Sequence, residues 1–196
     1  MTSYTIEAKS FPALLSDSRL AVSLRDKLAR PIVTSGEITP GVIAPVVARS
    51  KSGKNVVYPM VWGIKTVEQT LFMAPVTSLP HLFPKEETQS RRCVILASYF
   101  TAHREPPDDP TFSDWHEGDP TDKDLYAVQP SGSTVCYLGG VYTVQDGAPY
   151  YMILSLPKTT LPVILPEKMI SLWLDPKKKV EQLVRKSLRD VVWVKV

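Results

Sequence analysis

Apolar and polar residues alternate from Tyr4 to Ala8, the pattern of a short half-buried strand. The period then changes. Leu20, Leu24 and Leu28 recur every fourth position, Ser16, Asp17 or Ser18 can cap the free N–H groups ahead of them, and Pro31 stops the pattern, which predicts a helix over Ser16–Arg30. Val42–Ala48 and Asn55–Ile64 read as strands of a hairpin whose turn spans Lys51–Lys54 and contains Ser52-Gly53. Arg92–Phe100, Thr134–Val144 and Tyr150–Leu156 are rich in Val, Ile, Tyr and Cys and predict three more strands, with Asp146-Gly147 turning between the last two. Toward the C-terminus, Pro166–Leu174 predicts a helix with Glu167 in its first turn. Lys179–Asp190 predicts an amphipathic helix through Val180, Leu183, Val184 and Leu188, and Val191–Val196 a closing strand.

Composition sharpens this outline. Eighteen prolines against nine glycines favour short strands and rigid loops over long helices, so the expected class is α+β, rich in β, with a few peripheral helices. No composition break divides the 196 residues, which predicts a single domain over 1–196. Apolar stretches are broken well before the roughly 18 residues a membrane helix needs, and Met1–Ser10 does not resemble a signal peptide, so an intracellular protein is expected. Cys93 and Cys136 each lie in an apolar run and read as buried free thiols. His81, His103 and His116 are scattered without metal-ligand spacing; there is no glycine-rich phosphate loop, GxSxG elbow or HExxH pair, and no metal or cofactor is expected.

Charge changes the picture more than composition does. Between Glu105 and Asp124 eight acidic residues face Lys123 alone, a net charge of −7, so the remainder of a chain with net charge +3 carries +10. The acidic segment also holds Pro106, Pro107, Pro110 and Pro120, which predicts a surface loop at 105–124, and Phe112 and Trp115 on it are candidates for contact with a protein partner. A basic body suits an anionic partner such as single-stranded nucleic acid; ordinary solvated charge explains it equally. Lys177-Lys178-Lys179 has the form of a nuclear-localisation patch or of plain solubilising charge, leaving cytoplasm and nucleus both open.

Five segments, in order and at sensible spacing, resemble the SRAP (SOS response-associated peptidase) family. Ile38-Thr39-Pro40-Gly41-Val42 with the strand after it looks like the family's proline-containing strand entry, and Met60-Val61-Trp62-Gly63-Ile64 like its M-x-W-G segment. Arg91-Arg92-Cys93-Val94-Ile95-Leu96-Ala97-Ser98-Tyr99-Phe100 matches its RRC strand. Leu138-Gly139-Gly140-Val141-Tyr142 resembles its L-A-G strand, and Leu161-Pro162-Val163-Ile164-Leu165, followed by Trp173-Leu174, resembles its M-P-V-I-L segment. The resemblance implies a β-rich SRAP-like fold and a protein that meets abasic single-stranded DNA. In that family a cysteine after the initiator methionine closes a thiazolidine on the sugar aldehyde, helped by an asparagine, a glutamate and a histidine.

Those four positions are occupied differently here. Thr2 stands at the cysteine, Met73 at the asparagine, Ala102 at the glutamate and Lys158 at the histidine. A hydroxyl is a poor substitute for a thiolate, and Met and Ala side chains transfer no protons, so no catalytic residue is expected and the resemblance implies a protein that is not an enzyme. Pro40, Trp62, Arg91, Arg92 and Lys158 are the candidate nucleic-acid contacts, Trp62 as a stacking platform and the cations on phosphate. Each has a plainer reading: loop-shaping proline, core aromatic, solvated strand edge, surface lysine. Function follows the same fork. One reading is a catalytically inactive SRAP-like protein that binds single-stranded nucleic acid in DNA damage response or replication. Another is a protein-interaction or regulatory accessory module, viral or mobile-element encoded, acting through the 105–124 loop; a third is residual Schiff-base activity through the Thr2 amine.

Overall fold

The computed structural model describes residues 3–7, 19–103 and 125–196. In chain order its strands are β1 (Ser3–Ile6), β2 (Gly36–Ile38), β3 (Ile43–Arg49), β4 (Asn55–Trp62), β5 (Ile64–Lys65), β6 (Thr70–Leu71), β7 (Met73–Pro75), β8 (Arg92–Ala97), β9 (Tyr99–His103), β10 (Leu125–Pro130), β11 (Cys136–Gln145), β12 (Ala148–Ser155), β13 (Ile164–Leu165) and β14 (Val191–Lys195). Its helices are short: α1 (Arg19–Leu28), α2 (Leu79–Leu82), α3 (Lys85–Ser90), α4 (Ile170–Leu174) and α5 (Val180–Val184). This is the α+β, strand-rich class the proline content predicts. The acidic 105–124 segment, Thr2 and the expected cap at 16–18 lie outside the described residues.

Five strands close on themselves. β11 pairs with β8, β8 with β3, β3 with β4, β4 with β12 and β12 with β11, making a barrel whose one parallel joint is β4 against β12. Closure depends on β11 serving two neighbours: Cys136–Val141 lies on β8, and from Gly140 onward the same strand lies on β12. Where the two partners meet, a Cβ on Gly140 would come within 2.6 Å of both the Ile95 Cδ1 and the Met152 carbonyl oxygen, so only glycine lets the strands approach. The β11–β12 hairpin turns at Asp146-Gly147 with φ of 52° and 71°, the positive values a two-residue type I′ turn requires.

A second sheet, in the order β14-β10-β9-β1-β2, continues from the barrel through β8 and β9. The expected single strand Arg92–Phe100 is in fact divided at Ser98. The Ser98 N–H donates to the Thr5 carbonyl at 2.7 Å, and its hydroxyl accepts from the Glu7 N–H at 2.9 Å, which passes the chain from one sheet to the other.

Alternation along the barrel strands feeds two cores. Ala44, Val46, Met60, Trp62, Cys93, Ile95, Tyr151 and Ile153 face the second sheet and join its Tyr4, Ile6, Phe100 and Val128. The intervening Ile43, Val61, Val94, Tyr150, Met152 and Leu154 face Leu24 of α1, Trp173 of α4 and Leu183 of α5. Both faces are therefore apolar, which is why the sequence shows nearly continuous hydrophobic runs there. The C-terminal helix is shorter than the predicted Lys179–Asp190. After Val184 the chain makes turns at Lys186 and Ser187, and the Leu188 N–H is taken by the Ile164 carbonyl at 2.8 Å, an exchange of helix for bridge.

Candidate nucleic-acid interface

Of the four positions aligned with the SRAP chemistry, Met73 and Ala102 meet one core. Ala102, on β9, is buried in the cluster between barrel and second sheet, and Met73, half-buried on β7, packs against the same cluster. Lys158 is exposed in the turn after β12, with φ of 59°, and β7 runs parallel to β12 with Met73 opposite Ile153. A thioether and a methyl group thus stand at the two positions that the sequence resemblance aligns with an amide and an acid.

Trp62 lies at the centre of this region and is not a platform. It is 1% exposed; its ring stacks on Tyr151 at 6.3 Å and 9°, Tyr4 tilts against it at 5.1 Å, and Phe72 meets it edge-on. Its indole N–H donates to the Phe72 carbonyl at 2.9 Å, and the Tyr4 and Tyr151 hydroxyls share a hydrogen bond of 2.6 Å behind it. The expectation of base stacking on Trp62 is therefore corrected: no ring face is free to receive a base.

Arg92 is corrected in the same way. It is 2% exposed, and its guanidinium donates to the carbonyls of Trp173, Lys178 and Asp175 while lying 6.0 Å from the Trp173 ring centre. It ties down the end of α4 and the turn before α5 and is not presented to solvent. Burial lowers its pKa to about 10, partly offset by Asp175 and Glu181, so it remains charged at neutral pH. Arg91 is half-buried and engaged, with one guanidinium nitrogen 3.1 Å from Glu87 and donating to the Thr143 hydroxyl at 3.2 Å. Pro40 is half-buried beside Gly41, whose N–H donates to the Trp62 carbonyl at 2.8 Å, consistent with a loop-shaping role. Among the five candidates, Lys158 alone presents an exposed cation with no ion-pair partner among the described residues.

The interior offers little to acid–base or nucleophilic chemistry. Burial pushes the Cys93 thiol well up and the Cys136 thiol up to about 12, so neither supplies a thiolate near neutral pH. Burial likewise raises Tyr4 and Tyr151, which stay neutral hydroxyls. No buried side-chain nitrogen or oxygen among the described residues lacks a hydrogen bond, and no group of three metal-ligating side chains converges among them.

Positive charge collects elsewhere, on a surface the sequence only hinted at. The Arg49 guanidinium lies 3.9 Å from the Asp175 carboxylate and the Asn55 amide donates to the Ser171 hydroxyl at 3.4 Å, so the β3–β4 turn with exposed Lys51 and Lys54 sits beside α4. Lys177, Lys178 and Lys179 follow directly, all exposed and none in an ion pair among the described residues. Only the lysine run was legible as a basic patch; the turn joins it through tertiary contacts between residues more than a hundred positions apart.

No family profile and no curated protein matches this chain. Solved structures do share its fold. A phage-related protein from Bordetella bronchiseptica superposes with a TM-score of 0.62 at 16% identity, over 83% of this chain and 81% of its own. A second protein from Bordetella bronchiseptica gives 0.60 at 13% identity over 100% and 99% of the two chains, and a protein from Bacteroides thetaiotaomicron gives 0.59 at 11% identity over 99% and 91%. At these identities the likeness concerns fold alone. No helix among the described residues is long and apolar enough to cross a membrane.

Proposed function

We propose that this chain is a SRAP-like protein that has lost the family's crosslinking chemistry and binds single-stranded nucleic acid non-covalently through its basic surface. The observation that carries the reading is that two of the four aligned positions, Met73 and Ala102, meet at one core. Met73 and Ala102, 29 residues apart in sequence, border one core cluster, as partners in an ancestral site would, yet neither can move a proton. Exposed cations lie outside that core, at Lys158, on the β3–β4 turn and along the Lys177–Lys179 run, where phosphates could be neutralised without any base being read. Lys177–Lys179, exposed and in no ion pair among the described residues, suits a nuclear address or plain solubilising charge, and this reading is compatible with cytoplasm and nucleus alike.

The test is equilibrium binding of a fluorescent single strand across a salt series. The proposal expects affinity that falls linearly on a log–log plot with a slope of about −0.7 per phosphate neutralised, and equal affinity for intact and abasic strands. Absence of binding at low salt would reject it. The fold likeness to a phage-related protein favours one second reading, a mobile-element accessory module that binds a protein; the same salt series would then show no strand binding at all.

A further inference from the structure

A groove of about 500 Å3 opens between α2, α3 and the start of α5, away from the Trp62 core. Its wall is apolar: Leu79 and Val180 are buried beneath it, and Phe83 packs half-buried along it. Two cations, Lys85 and Lys179, stand on its rim, exposed and in no ion pair among the described residues. Gln89 lines it too, half-buried, its amide hydrogen-bonded to nothing among the described residues. Glu181 is the one carboxylate in the lining among the described residues.

The volume falls in the range of small-ligand sites, roughly 300–1,000 Å3, and the combination of an apolar wall, an uncommitted amide and two free cations is selective. A purely apolar ligand would leave the lysines unused, and a simple anion would leave the Phe83 wall exposed. A nucleotide satisfies all three features: a flat base against Phe83, its donor and acceptor edge against the Gln89 amide, and its phosphate between Lys85 and Lys179. We infer that this groove holds one nucleotide unit, either free or as one residue of a single strand threaded onto the neighbouring Lys177–Lys178 surface. As a strand site it rests on the reading above; as a free-nucleotide site it does not.

Lys85→Glu combined with Lys179→Glu tests this in the full chain, since both side chains are exposed and the melting temperature should not move. Anisotropy of a fluorescein-labelled oligothymidylate and calorimetric titration of thymidine monophosphate are the two readouts. For strand binding, the double variant is expected to lose about tenfold in affinity at low salt and to flatten the log–log salt slope by about 1.4, two contacts at 0.7 each. Phe83→Leu keeps the wall apolar but removes the stacking face, and is expected to weaken strand binding roughly 5- to 150-fold. Unchanged strand affinity and slope together with unchanged thymidine monophosphate binding in the double variant would overturn the groove while leaving strand binding intact. Thymidine monophosphate bound by the wild type and lost in the double variant, with no strand bound by either, would support the groove and sink the strand reading. Wild-type protein binding neither probe would overturn both.

Discussion

Replacing Trp62 with alanine is expected to destabilise the protein by about 3–5 kcal/mol, the cost of removing a large aromatic from a packed core. Trp62 has no exposed face to collapse toward. Tyr151 and Tyr4 cover the ring, the Phe72 carbonyl would lose its indole donor, and the surrounding strands β4 and β12 are held in register by barrel closure. For a chain of this length a loss of that size lowers the melting temperature by roughly 6–20 °C. Trp62→Phe, which keeps one six-membered ring but loses the pyrrole half of the indole and its hydrogen bond, should cost less, about 1–3 kcal/mol. If Trp62→Ala instead melted like wild type and weakened strand binding, the stacking role drawn from the sequence would be right and the core assignment wrong.

Arg92→Met is expected to be comparably severe, about 3–5 kcal/mol by urea denaturation. The methionine fills most of the volume but removes the guanidinium donor from the Trp173 and Lys178 carbonyls and leaves the Asp175 carbonyl with the Lys178 N–H alone, and each buried acceptor left unsatisfied costs roughly 1–3 kcal/mol. Arg92→Lys should not rescue it, because a single ammonium cannot reach three carbonyls arranged for a planar fork. The damage should be local at first: amide exchange in α4 and α5 should rise before exchange in the barrel strands. A change below about 1 kcal/mol would mean that water replaces the guanidinium and that Arg92 is not a structural tie.

These two residues also mark where the sequence stops being informative. The strands of the barrel were legible because both of their faces are apolar, and the Asp146-Gly147 turn because its dihedral demand selects those residues. Trp62 was ambiguous because a tryptophan before glycine reads the same whether its ring meets a base or a tyrosine; the deciding partners, Tyr4 and Tyr151, are 58 and 89 residues away. Arg92 was misplaced because an arginine opening an apolar strand resembles a solvated edge, and only the fold brings the α4–α5 turn over it. β10 is masked in the sequence by the acidic residues that run up to Asp124, although Leu125–Pro130 supplies the partner for both β9 and β14. The groove was illegible for the same reason as the basic surface: Lys85 and Lys179 are 94 residues apart and nothing local links them.

The most direct test of the account is denaturing electrophoresis of the protein after incubation with an abasic single strand, with and without borohydride. Lost crosslinking chemistry predicts no protein–DNA band in either lane, because the aligned Met73 and Ala102 supply neither amide nor acid, and buried Cys93 and Cys136 supply no thiolate. A band seen only with borohydride would reveal a Schiff base at an amine and restore enzymatic activity to the chain. A band stable without reductant would contradict the account outright, by showing that a nucleophile closes the ring despite Thr2 standing at the cysteine position.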